Sequence, residues 1–452
     1  MSPARVVLIL IAATMAARIA LALTVGLGVD ESYAASVAHP IALSYFDHPP
    51  LHFWIAAAAE LHRGASPLAD LAVRSPFIAL FALTTWLMYL VTARVFDARA
   101  GMYAALALNI SPVFSVSTGG WVLPDGPLMC AWLAAVYCVL RVDESAWWWV
   151  GAGVATGLAL LSKYHGVLLM GGIFFYLLIA ARRWLARPWP YFAALIALAM
   201  FTPVIVWNAE HQWISFAFQL GRNTESHAPR LLALAENIGG QVALVTPWVW
   251  IPLIISAWHE RRSSPLCAIL GIIPIALFTL ASLGGNPGQP HWPAPGYLML
   301  FPFLGHAASK YPLRARNWLA VSGCILASVV TAVAVLQPVE DLIDWRGLDA
   351  AGEAFVAAPS WIQAGKASWA LGPDVPVICL CTAPHQFAFT RDQGAFMGRD
   401  AMIVMRSKTV GHMLTRYEPY FESIALWREV SIRGKITVDL YLAKNFQRLF
   451  PR

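Results

Sequence analysis

Apolar residues run in long blocks through the first three quarters of the chain, with polar residues gathered in short stretches between them. About 20 consecutive apolar residues suffice for a helix to cross a bilayer. On that basis helices are expected near 6 to 27, 73 to 93, 100 to 118, 125 to 141, 147 to 162, 166 to 181, 189 to 207, 237 to 257, 265 to 283, 295 to 307 and 317 to 337, about eleven in all. Leu51 to His62 is apolar but too short to cross, and reads as a helix lying along the interface. After residue 338 charges become frequent and apolar runs shrink to strand length, as at Val375 to Leu380, Ala401 to Met405 and Thr437 to Leu442. The expected fold class is therefore an all-α polytopic membrane domain over 1–337, with a first outer loop at 28–72, followed by a small α/β domain over 338–452.

Composition supports this. Charged residues make up 12% of the 452 and hydrophobic ones 59%, whereas soluble domains carry about 25% charged residues. The mean hydropathy is +0.61. The alternating segments of a membrane β-barrel are absent, and many of the 20 tryptophans stand at the ends of apolar runs, as in the aromatic belts of helical membrane proteins. The N-terminal run from Val6 to Leu27 is long enough to span, which favours a retained helix over a cleaved signal peptide.

The net charge of +6 reports topology rather than a nucleic-acid partner, because the basic residues are dispersed among loops. With the N-terminus inside, the inner loops hold Arg94, Arg99, Arg141, Arg182, Arg183, Arg187, Arg261, Arg262, Lys310, Arg314 and Arg316. The outer loops hold chiefly Arg63, Arg222 and Arg230. That is the positive-inside pattern, and an odd helix count puts the C-terminal domain outside. Of the six cysteines, Cys130, Cys138, Cys267 and Cys324 fall in apolar runs. Cys379 and Cys381 lie two apart in an expected strand, poorly placed to bridge, so neither a disulfide framework nor a zinc motif is expected.

The outer loops collect the polar side chains. The first carries Asp30, Glu31, Tyr33, Tyr45, Asp47, His48 and His52; the second Trp121, Pro124 and Asp125; the third Lys163, Tyr164 and His165. The fourth carries Asn208, Glu210, His211, Gln219, Arg222 and Asn223, and the fifth Asn286, Gln289, His291 and Trp292. Each admits a plain reading beside a functional one. Asp30 and Glu31 fit a solvated helix end or a catalytic pair, and Asp125 fits an N-cap with or without a second role. Lys163 either snorkels to the headgroups or binds a phosphate. His48 and His291 are structural hydrogen-bonders or metal ligands. Arg18, deep in the first span, is expected to pair internally, with a first-loop carboxylate as one candidate partner.

Asp30-Glu31-Ser32-Tyr33, followed by Tyr45-Phe46-Asp47-His48-Pro49-Pro50-Leu51, resembles the first-loop signature of the bacterial glycosyltransferase family 39 type. This is the protein mannosyltransferase-like branch of the GT-C superfamily. The likeness continues through Pro124-Asp125-Gly126-Pro127-Leu128, Gly157 to Tyr164, Pro203 with Trp207-Asn208, Trp213-Ile214-Ser215-Phe216 and Asn286 to Pro295. Ser32 and Ala34 depart mildly from the Asp-Glu-Ala-Tyr-Tyr common in that family.

The resemblance implies an inverting transferase that moves a sugar from a polyprenyl-phosphate carrier to an acceptor hydroxyl at the outer face. It maps the essential carboxylate to Asp30 as general base, with Glu31 beside it to position the acceptor or support the pKa. Lys163, Arg222 and Tyr164 become the donor-phosphate contacts. Tyr33, Tyr45, Asp47, His48, Asp125, Asn208, His291 and Trp292 serve acceptor, sugar or supporting roles. Related enzymes use a divalent metal ion, for which Asp47, His48 and His291 are the candidate ligands here, and no nucleotide cofactor is expected. The expected partners are the lipid-linked donor, a lipid or glycan acceptor and the bilayer, with lipid A or lipopolysaccharide the favoured acceptor and a bacterial inner membrane the setting. A protein O-mannosyltransferase and a transporter or flippase of lipid-linked sugars are the alternatives.

Overall fold

The computed structural model describes residues 1–59, 64–221, 229–349, 355–409 and 414–451. Its helices are α1 (Pro3–Thr24), α2 (Val29–Val37), α3 (Leu51–Ala59), α4 (Pro67–Val95), α5 (Ala98–Ile110), α6 (Thr118–Gly120), α7 (Asp125–Val139), α8 (Trp148–Ser162) and α9 (Gly166–Ala180). After these come α10 (Trp189–Glu210), α11 (Ile214–Gly221), α12 (Arg230–Val245), α13 (Pro247–Glu260), α14 (Pro265–Ala281), α15 (Ala294–Leu298), α16 (Phe301–Lys310) and α17 (Pro312–Leu336).

Among the described residues, α1, α4, α10, α14 and α17 are each long and apolar enough to cross a membrane. Three segments expected to be continuous spans are broken. The segment 100 to 118 bends by 80° between α5 and the π-helical turn Val113–Ser117, and the region 237 to 257 bends by 102° between α12 and α13. The segment 295 to 307 divides into α15 and α16. Each break has a proline at or just after it, Pro112, Pro247 and Pro302, and proline cannot donate the backbone bond that would carry the helix on. At Thr246 the backbone also enters positive φ, at 75°.

The chain forms two compact units. The first comprises Met1–Arg18, Leu43–Leu51 and Phe77–Thr331; the second comprises Ile19–Ala42, His52–Pro76 and Ala332–Arg452. The sequence boundary at 337 is therefore not the structural one, because much of the first outer loop belongs with the C-terminal segment. The first unit is a helical bundle with Phe114, Trp132, Trp149, Phe301 and Phe303 fully buried. Small residues let its helices approach closely: a Cβ on Gly153 of α8 would come within 2.6 Å of the Ala193 carbonyl on α10.

In the second unit, β1 (Phe355–Ala358), α18 (Trp361–Leu371) and β2 (Val377–Cys379) make a parallel crossover, followed by α19 (Phe387–Thr390), β3 (Ala401–Arg406) and the hairpin β4 (Phe421–Ile432) and β5 (Ile436–Phe446). The sheet order is β2-β1-β3-β5-β4, parallel across β2, β1 and β3 and antiparallel from β3 through β5 to β4. Phe355, Ile403, Tyr417 and Phe446 centre its core. Cys379 and Cys381 form a disulfide, contrary to the strand-based expectation. Strand β2 ends at Cys379, so the backbone is free to turn, and the Cα atoms lie 5.5 Å apart, within the roughly 4.4–6.8 Å that a bridge needs.

Candidate active site

In the second unit, Gly28 caps α2 with extended backbone, and its N–H donates to Glu31 Oε2 at 2.9 Å. Arg74 on α4 grips the same carboxylate twice, Nε to Oε1 at 2.7 Å and Nη2 to Oε2 at 2.5 Å. Its remaining reach goes to the carbonyls of Val25 at 2.6 Å and Gly26 at 2.9 Å. Glu31 is 2% exposed and Arg74 5%. Glu31 is thus engaged on both oxygens inside the protein, which suits holding the start of α2 rather than taking a proton from a substrate. Asp30, one residue earlier in the first helical turn, is exposed. A negative charge there is favoured by the helix dipole.

Tyr33, also on α2, is buried; its hydroxyl accepts from the Gln386 N–H at 2.8 Å, and its ring packs edge-on to Trp361 at 5.1 Å. Behind α2 lies a charged network that sequence reasoning missed. Asp70 pairs with Arg346 and accepts from Trp369 Nε1 at 2.9 Å, while Asp344 takes Arg346 at 3.1 Å and Arg433 at 2.9 Å. Its signal was present: Asp70 and Arg74 flank the start of an apolar run, where unpaired charge is costly.

In the first unit, Lys163 Nζ donates to both oxygens of Asp125, at 3.0 and 3.1 Å, with the two residues 4% and 8% exposed. Asp125 opens α7 without capping it, and Lys163 ends α8, so the pair joins the second and third outer loops. His291 and His165 lie within electrostatic reach of the carboxylate. Trp292 packs on Phe278 at 5.6 Å, and Phe278 stacks on His165 at 4.8 Å, bringing the fifth loop to the same place.

A second polar group surrounds Tyr164, whose hydroxyl lies 2.6 Å from Ser215 Oγ and near Asn208, Ser44 and Asp47. Gln219 on α11 donates to the Asp47 carbonyl. Tyr164, Asn208 and Asp47 were expected at the site; Ser215 was noted only as part of the Trp213-Ile214-Ser215-Phe216 stretch, and Ser44 was not noted, since a single serine carries little sequence signal. Tyr45 is wholly buried and His48 partly so.

Other expectations fare differently. Arg222 and Asn223 lie outside the described residues. Among the described residues Arg18 pairs with no first-loop carboxylate: it donates to the Thr14 and Ser115 carbonyls and to Ser115 Oγ, each at 3.0 Å, and lies over the Phe81 ring. Backbone and hydroxyl oxygens were near enough to take its two Nη atoms, while the buried Nε makes no hydrogen bond. Among the described residues no group of three His, Cys, Asp or Glu side chains is placed to hold a metal ion.

Residues 47–207 match the family described as dolichyl-phosphate-mannose-protein mannosyltransferase. Among solved structures, ArnT from Cupriavidus metallidurans in the apo state aligns over 96% of this chain and 97% of its own, with a TM-score of 0.66 at 16% identity. The chain has an ArnT-like GT-C fold. The partial family match and this fold are both similar to those of membrane glycosyltransferases. Weaker matches are the S. cerevisiae protein O-mannosyltransferase Pmt1-Pmt2 complex (TM-score 0.34, 19% identity, 47% of this chain and 33% of that one) and the oligosaccharyltransferase AglB from Archaeoglobus fulgidus (0.44, 13%, 81% and 64%). No curated protein matches the chain.

Proposed function

We propose that this glycosyltransferase draws its sugar from a polyprenyl-phosphate donor and passes it with inversion to an envelope acceptor, lipid A or lipopolysaccharide, at the periplasmic face of a bacterial inner membrane. The observation that carries the reading is accessibility on α2: Glu31 is buried against Arg74 and Gly28, while Asp30 in the same helical turn is open to solvent and so within reach of an acceptor. A single carboxylate base suffices for this chemistry, because phosphate leaves without protonation. Asp30 takes the acceptor hydroxyl proton as that oxygen bonds to the anomeric carbon, and the bond from that carbon to the phosphate oxygen breaks with its electron pair. The departing phosphate needs cationic donors where charge develops. Lys163 is the one we assign; Asp125 holds its ammonium in place, and the ammonium has three donors to share.

Orientation is supported by the basic inner loops and by the disulfide in the second unit, since disulfides persist in oxidising compartments. The test is transfer of labelled sugar by the purified protein to lipid A, to a peptide, or to neither. Label in lipid A supports the proposal, and label in peptide would move the enzyme to protein O-mannosylation. Label crossing a vesicle unattached, without transfer, would favour a flippase.

A further inference from the structure

The second unit holds a buried cation that the reaction above does not use. Lys366, in the middle of α18, is 3% exposed, and its ammonium donates to three backbone carbonyls: Leu27 at 2.8 Å, Asp341 at 2.9 Å and Ile343 at 3.0 Å. All three N–H donors are therefore used, the condition under which a buried ammonium is tolerated. Leu27 immediately precedes Gly28, the cap of α2. The residue before Lys366 also packs against α2. A Cβ on Gly365 would fall 2.9 Å from Tyr33 Cα, and Ser36 Oγ donates to the Gly365 carbonyl at 3.2 Å. The motif helix is thus pinned at its entrance by Lys366 and along its length by Gly365.

We propose that Lys366 is a positioning residue for glycosyl transfer, fixing the first turn of α2 so that the Asp30 carboxylate is held where the acceptor hydroxyl arrives. This rests on Asp30 as base. Leu27 and Asp30 are three residues apart, so a Leu27 carbonyl left with only the longer bond from Ser32 Oγ, at 3.2 Å, loosens the peptide units that aim Asp30. Misplacement by about 1 Å can cost about 100-fold in rate. The C-terminal domain then serves chemistry through one lysine and one glycine.

The experiment compares the full-length enzyme with Lys366→Met, Lys366→Arg and Gly365→Ala. Lys366→Met should lower kcat at least about tenfold while donor and acceptor KM stay within about twofold, and amide exchange over 29–37 should quicken while that over 77–200 does not. Lys366→Arg keeps the charge, but a planar guanidinium cannot reproduce the three-way contact, so its kcat should also fall. Gly365→Ala should do likewise by displacing Tyr33. Folded variants with wild-type kcat and unchanged exchange over 29–37 would overturn the proposal. If Lys366→Met does not fold, the same readings on the other two variants decide it. Should Asp30→Asn remain active, the base assignment fails, while the exchange measurement still reports whether Lys366 orders α2.

Discussion

Replacing Glu31 separates a structural carboxylate from a catalytic one. In the native protein its two oxygens accept three hydrogen bonds, from Arg74 Nε, Arg74 Nη2 and the Gly28 N–H. Glu31→Gln removes the nearest countercharge and one acceptor oxygen, leaving the buried Arg74 with the Val25 and Gly26 carbonyls, an amide oxygen and the more distant Asp70 and Asp344. Stranding one member of a buried pair costs about 3–5 kcal/mol. At about 2–4 °C per kcal/mol for a unit of 150–250 residues, Tm in detergent should fall by roughly 6 °C or more. Glu31→Gln with Arg74→Met should recover part of that loss, because no charge is then stranded. The assay is thermal unfolding of the three variants, normalised to folded protein, with transfer measured on the folded fraction below each Tm. If Glu31→Gln kept the wild-type Tm yet lost all transfer, Glu31 would be a chemical participant and the contrast with Asp30 would collapse.

Further outcomes are expected elsewhere. Lys163→Ala should raise the donor KM more than the acceptor KM, and an equal rise in both would remove Lys163 from the phosphate site. Tyr164→Phe removes the hydroxyl near Ser215 and should cost about 1 kcal/mol of stability with little change in kcat; a large kcat loss at unchanged Tm would make Tyr164 a substrate contact. Burial holds the Lys366 ammonium down at about 8, an effect partly offset by Glu31, Asp344 and Asp341 and aided by Arg74. Because this value lies below the unfolded one, the unfolded chain binds the extra proton between about pH 8 and 10.5, so this group's contribution to stability rises with pH across that window. Activity should move the opposite way, falling above about pH 8, since a neutral amine has two N–H groups for three carbonyls. Transfer that stays flat to pH 9.5 in wild type would contradict this.

Much of the fold was legible because its signal is summed over many residues. Long apolar blocks marked α1, α4, α10, α14 and α17, and the change in composition marked the C-terminal domain. The bends were harder, since Pro112 and Pro247 could equally have begun new helices or kinked old ones, and only packing decides. Strands β1 and β4 escaped notice, the second because its residues are largely exposed and lack a strand's apolar alternation. At the site, loop residues with unusual chemistry stood out, and Asp125 with Lys163 came together as one pair. Which carboxylate of Asp30 and Glu31 is consumed by structure could not be read, because the deciding partner, Arg74, lies 43 residues away. Lys366 was invisible for the same reason, as its partners are backbone carbonyls that have no sequence signature.

The base assignment is tested most directly by Asp30→Asn. Asparagine matches aspartate in size and the position is exposed, so the variant should fold. In detergent, with labelled polyprenyl-phosphate sugar and lipid A, the predicted result is loss of transfer by about 100-fold or more, the scale at which a general base contributes, with donor binding retained. Transfer by Asp30→Asn at the wild-type rate would contradict it.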